Sequence, residues 1–190
     1  MFSSYIENPT NCNFEGQDAD EKILLLLRAH PVTNLQWIIP AILIFFAPFF
    51  IPKVLFLINL DLSAIPQSFA MVFLIINYLL VLAITFEGFL YWYFNVYIVT
   101  SKNIVDVDFH SILFKNIDVA PLRNIEDTSS SMAGILSSIF NYGNVFIQTA
   151  GTSRNIDFHA VPRPHQVADF ILDESHKIHG RGINASHHPN

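Results

Sequence analysis

Charge is scarce in this 190-residue chain. Only 14% of its residues are Asp, Glu, Lys or Arg, against about 25% in an ordinary soluble domain. Basic residues are the scarcer sign, with 10 Lys and Arg against 16 Asp and Glu and a formal net charge of -6. Nucleic-acid binding is therefore not expected, because phosphate contacts need clustered Lys and Arg. There is one cysteine, Cys12. No intrachain disulfide can form, which excludes a disulfide-stapled scaffold. Its thiol lies alone in an irregular stretch and reads as inert. The signatures G-x-S-x-G and G-x-x-x-x-G-K-[ST] are both missing, so neither a nucleophile elbow nor a phosphate cradle is written here. The expectation is a protein without catalytic activity, metal or cofactor.

Apolar residues are abundant instead, at 52% with 14% aromatic. That excludes a disordered chain. They are concentrated in two runs. Residues 35–52 contain no charge, and residues 62–86 contain none either. A membrane-spanning helix needs about 20 mostly apolar residues. The first run carries Pro40, Pro48 and Pro52, which a membrane helix tolerates as kinks. Lys53 sits where its side chain can snorkel to headgroups. From Phe69 to Phe86 there are twelve Leu, Ile, Val or Phe residues. Together these favour insertion by about 4–7 kcal/mol, partly offset by Asn77. The alternative, a pair of buried helices in a soluble protein, needs a larger core than this chain can wrap. A cleavable leader does not fit, because residues 1–22 hold five acids and one lysine.

The link between the runs is short, so the helices form a hairpin with both ends on one side. Lys22, Arg28 and Lys102 flank that side against Lys53 on the other, which puts both termini in the cytoplasm. The expected boundaries are an irregular segment at 1–20, a pre-membrane strand or interfacial stretch at 21–34, and helices at 35–58 and 69–94. An external link covers 59–68, a cytoplasmic domain 95–179 and a disordered tail 180–190. Tyr91, Trp92, Tyr93 and Trp37, with Lys53, are candidate interfacial anchors.

After Asn95 the period changes. NVYIVT is β-branched and aromatic, as strands are. In residues 104–109, Val105, Val107 and Phe109 alternate with Asp106 and Asp108, the pattern of a half-buried strand with a solvated acidic face. Residues 112–119 and 122–131 are further strand candidates. Residues 132–141 read as a short helix or loop. Residues 145–149 and 156–160 form a hairpin around Gly151-Thr152-Ser153. Then Val167, Phe170, Ile171 and Ile178 share one helical face, with Gly180 suited to the helix end. The fold class is thus a membrane helical hairpin plus antiparallel strands capped by an amphipathic C-terminal helix.

Several stretches in this order resemble one family. They are EKILLLLRAHP (21–31), the paired spans, YIVTSKNI (97–104), IFNYGNVFIQTAG (139–151) and IDFHAVPRPHQVADFI (156–171). The chain resembles the YdbS-like membrane proteins of prokaryotes, which carry a bacterial pleckstrin-homology (PH-like) domain. The resemblance covers residues 21–178. It implies a PH-like barrel of two bent sheets closed at one end by the terminal helix, and location in the prokaryotic cytoplasmic membrane.

Candidate functional groups are few. Glu87 and Asn77 lie in or beside the second span, where polar side chains form relays or bond across helices. Glu87 also fits a headgroup-level position, and Asn77 a bond inside the hairpin. His176 with His179, then His187 and His188, have metal-like spacing but no Cys nearby. His159 and His165 bracket the VPRP corner, and His30 precedes the membrane entry. Asp106 with Asp108 and Glu126 with Asp127 read as solvated pairs. Lipid recognition by a PH-like domain would need clustered bases in the first strand–strand loop. Residues 100–103 supply Lys102 alone, so anionic-lipid binding is expected to be weak or nil. Two readings follow. One is a tethered interaction or scaffold module with a protein partner or its own copies. The other is an oligomeric transport or membrane-stress component that works through Glu87 and Asn77. Both have the lipid bilayer as a partner.

Overall fold

The computed structural model describes residues 3–9, 12, 14, 16–59, 66–111, 114–151 and 155–185. They fall into two compact units. Thr33–Tyr91 forms one, and Met1–Val32 joins Trp92–Asn190 in the other.

The helical unit contains α1 (Leu35–Leu57) and most of α2 (Gln67–Phe94). Both are apolar on every side. Leu43, Phe49, Phe56, Ile75, Leu79 and Leu82 are all at least half exposed, while Ala41 and Asn77 are buried. Pro40, Pro48 and Pro52 lie inside α1 without ending it. Both helices are long and apolar enough to cross a membrane. Trp37 packs where α2 has Gly88: a Cβ there would lie 2.5 Å from the indole ring. Link residues 60–65 are outside the described residues.

The second unit is two antiparallel sheets and a helix. One sheet has the order β1-β2-β3-β4-β5, from Tyr5–Glu7, Ile23–Leu27, Val96–Thr100, Asn103–Ser111 and Phe114–Pro121. The other has the order β6-β7-β8, from Ile125–Ser131, Tyr142–Thr149 and Ile156–Pro162. No ladder joins the two sheets among the described residues. Between β6 and β7 lies the short helix α3 (Ile135–Phe140), and α4 (Pro164–Ala185) ends the described chain.

The core lies between the sheets. Leu25, Leu27, Val99 and Ile104 meet Val145, Ile147, Phe158 and Val161 in one cluster. Fully burying each large side chain is worth about 1.5–3 kcal/mol. The Tyr97 ring stacks on Phe158 with centroids 4.5 Å apart, and its hydroxyl accepts a bond from His159 N at 3.0 Å. Val167, Ala168 and Ile171 of α4 complete the cluster. The middle of α4 is tied down as well, since Ser175 Oγ donates to Ile125 O at 3.3 Å.

Several expectations change. Residues 21–34 admit a strand or an interfacial stretch from sequence; in the structure Ile23–Leu27 is a strand that pairs with β3, Leu25 opposite Val99. Residues 1–20 are not wholly irregular, because Tyr5–Glu7 adds an edge strand to β2. Residues 180–185 continue α4 rather than starting a loose tail. Gly180 and Gly182 cost the helix about 1 kcal/mol each, too little to end one of this length.

The largest departure concerns the acidic strand. Asp106 does not share a solvated face with Asp108; it points between the sheets and is only 8% exposed. The alternation in β4 is real, but both faces are covered. Cys12 and Phe14 pack against Ile23, Ile98 and Val105 on the outer face, which frees the valine face from having to be the core.

Candidate functional site: polar groups of the helices and the acidic end of the sheets

Among the described residues Asn77 is the buried polar group of the helical unit, 8% exposed, and its Oδ1 accepts no hydrogen bond from them. Leaving such a group unpaired costs about 1–3 kcal/mol. Glu87 is exposed on the same helix. The structure therefore gives the two residues different surroundings. Near the link, Pro48, Pro52, Leu55, Phe69 and Phe73 line an apolar groove, which offers a polar solute nothing to bond.

The anchor candidates also separate. Tyr91 is 57% exposed. Trp92 is not a free interfacial side chain: it is buried, and its Nε1 donates to Ala29 O at 2.8 Å. Tyr93 is half-buried beneath Arg28, whose guanidinium lies 4.8 Å from the ring centroid. Trp37 Nε1 donates to Asn34 Oδ1 at 3.3 Å. Lys53 Nζ lies 4.0 Å from the Phe49 ring centroid. Trp92 and Arg28 thus join the two segments of the sheet unit that lead to the helices.

One end of the interior is acidic. Asp106 stands opposite Asp118 across the β4–β5 ladder. Burial raises its pKa to about 7, helped by repulsion from Asp108, Asp118 and Asp157. Its Oδ1 has no hydrogen-bond partner. The raised value has a definite sign. The folded state holds a proton that the unfolded state has already released, so this group lowers stability as pH rises from about 4 to about 7. Asp106→Asn should therefore raise the melting temperature at pH 8 and leave it unchanged near pH 4. Asp106 is not wholly sealed from water, so the gain is about 1–2 kcal/mol rather than the full value of the displacement. Thermal melts of the full chain across that pH range check this; an equal effect at both ends would contradict it.

The histidines are placed structurally. His165 Nδ1 lies 2.6 Å from Ser130 Oγ, and His179 Nδ1 lies 2.9 Å from Ser175 O. His176 is exposed, as are Glu126 and Asp127. His187 and His188 lie outside the described residues. His30 stacks on Tyr142 at 5.3 Å, and burial lowers its pKa. Among the described residues no three His, Cys, Asp or Glu side chains gather as a metal site.

The model of the family described as bacterial PH domain matches residues 35–175. The chain belongs to the bacterial PH domain family. The match takes in both apolar helices, so they are part of what this chain shares with the family. It omits β1 and β2, which nonetheless pair into the larger sheet. No curated protein matches the chain. Among solved structures it is similar to a DUF1696 family protein with a pleckstrin-homology domain from Shewanella loihica PV-4. That likeness is 12% identity over 43% of this chain and 70% of the other, with a TM-score of 0.35.

A bacterial PH domain suggests an interaction or scaffold module, and the residues bear on which kind. Lys102 sits in the loop from β3 to β4. Its Nζ bonds Asp18 at 3.0 Å and Asp20 at 2.6 Å, which pushes its pKa up to about 12. A lysine already paired with two carboxylates has little charge left for a phosphate. In this bacterial PH domain Lys102→Ala should leave binding of the full chain to soluble inositol phosphates unchanged, within twofold by calorimetry. A loss beyond tenfold would make Lys102 a headgroup ligand after all.

Proposed function

We propose that this protein is a membrane-anchored interaction module. The hairpin of α1 and α2 tethers the two-sheet domain to the cytoplasmic face of a prokaryotic membrane, with both termini in the cytoplasm. There the domain engages a protein partner or further copies of itself. Exposure of the two helices carries this reading. Helices apolar on all sides are either buried in a core or in contact with lipid, and these are not buried in their own chain. The sheet domain offers strand edges, to which an extended peptide can add a strand.

A second reading rests on Asn77. A buried amide oxygen without a partner among the described residues is suited to bond an identical helix in an oligomer, and the working element would then be the intramembrane pair Asn77 and Glu87. Purification of the full chain from native membranes in lipid nanodiscs, with mass spectrometry and particle mass, separates the readings. A stoichiometric second protein supports the adaptor. Homo-oligomers that Asn77→Leu or Glu87→Gln disperses support the second reading. A bare monomer in every preparation counts against both.

A further inference from the structure

The loop between β6 and β7 carries an apolar surface that the sheet domain does not use. In α3, Ile135 is 80% exposed, Leu136 51%, Ile139 68% and Phe140 46%. Residues 132–141, MAGILSSIFN, contain no charge. A patch of this kind marks a protein or membrane contact rather than ordinary surface.

The patch is built on a fixed base. Ser137 is buried, with Oγ 2.6 Å from Ala133 O and 2.8 Å from Gly134 O. Asn141 takes a left-handed conformation, φ 51°, and ends the helix by donating its N–H to Ser137 O. Arg163 N donates to Asn141 O at 2.9 Å. The four apolar side chains are therefore presented outward, not left loose.

Its position selects the partner. His30 stacks on Tyr142 with ring centroids 5.3 Å apart and lies 6.2 Å from Phe140. His30 N also donates to Ala160 O at 2.7 Å. The base of α3 is thus bound to the segment that leads into α1, and Trp92 holds the returning segment to Ala29. Leu35 is five positions beyond His30, a reach of about 17 Å at most. A second protein could cover an apolar patch anywhere. The covalent link to α1 keeps this patch near any bilayer that holds the span, whatever other protein is present.

We propose that α3 is a lipid-inserting wedge. Ile135, Leu136, Ile139 and Phe140 enter the headgroup–acyl boundary of the bilayer that the α1–α2 hairpin spans, and seat the sheet domain on the membrane. Interfacial helices bury their apolar face to about 5–10 Å in this way. The inference rests on the membrane-anchored reading above.

Nitroxide depth measurement on the full chain tests it. The background is Cys12→Ser, and the vesicles contain phosphatidylcholine and phosphatidylglycerol at low protein density. Single labels go at Ile139→Cys, at Leu79→Cys in the span and at Glu126→Cys on an exposed strand. Ile135→Cys is a second wedge position should the first not fold. The wedge label should show oxygen accessibility near the span label and accessibility to a water-soluble nickel chelate several-fold below Glu126→Cys. If the wedge label reads like Glu126→Cys while Leu79→Cys reads hydrocarbon, the wedge is wrong and the anchored reading stands. If Leu79→Cys itself reads aqueous, the anchored reading fails and the wedge with it. A wedge label shielded from both reagents overturns the proposal in favour of a protein covering.

Discussion

Gly143→Ala should lower the melting temperature by about 6–12 °C, the equivalent of about 3 kcal/mol in a chain of this size. Gly143 is the second residue of β7, three positions after the last residue of α3. A Cβ there would lie 2.3 Å from Ser131 O and 2.9 Å from Met132 Cγ. Ser131 ends β6, where it pairs with Asn144, so the obstructing atom is backbone inside a ladder and cannot swing aside. Overpacking of this kind costs about 1–3 kcal/mol and sometimes more. Relief requires the β6–β7 pairing to open at the end that carries α3. The same substitution should therefore expose the 132–141 loop to protease. Wild-type melting of the alanine variant would show that the strands do not approach so closely.

Glu21→Ala should cost about 2–4 kcal/mol, and Glu21→Gln clearly less. Glu21 is 5% exposed, a carboxylate almost wholly inside the protein. Its oxygens take a bond from the Thr100 hydroxyl, from Asn103 Nδ2 at 2.9 Å and from Asp18 N at 3.2 Å. Thr100 is fully buried. Truncation strands these donors, and unmet donors dominate the penalty once one partner is removed. Thr100 retains a contact with Asn103 O at 2.9 Å, which limits the loss. The consequence is not local. Gln17 Nε2 donates to Glu21 O at 2.8 Å, and Lys102 holds Asp18 and Asp20. Glu21 therefore organises the segment that covers the outer face of the larger sheet. Urea denaturation of the full chain in micelles reads the effect; a loss as large in the glutamine variant would point to charge rather than bonding.

The contrast between residues that the sequence made legible and those it did not has physical causes. The two apolar helices were readable because each is a local run long enough to span a bilayer. The β7–β8 hairpin and α4 were readable from local period and turn residues. β1 was not. Three residues carry no period of their own, and Tyr5–Glu7 becomes a strand only because β2 offers an edge. β2 itself was left between two readings, since its partner Val99 lies on the far side of both helices in the chain. Asp106 shows a different limit. Alternation identifies two faces of β4 but not the inner one, and the segment bearing Phe14 covers the face that composition marked as core. The buried Trp92 illustrates the same point: an aromatic beside a span looks like a lipid anchor until Ala29 O is found beside its Nε1. Residues 132–141 show no more than a short helix or loop in sequence, because exposure of their apolar side chains depends on the fold.

Labelling from the two sides of the membrane tests the anchored module most directly. In a Cys12→Ser background, Asn59→Cys at the end of α1 and Glu126→Cys on β6 would each be exposed to a membrane-impermeant maleimide in intact cells and after permeabilisation. Asn59→Cys should react in intact cells, and Glu126→Cys only once the membrane is opened. Reaction of both from the same side, or recovery of the chain in the soluble fraction, would contradict a hairpin that holds the sheet domain at the cytoplasmic face.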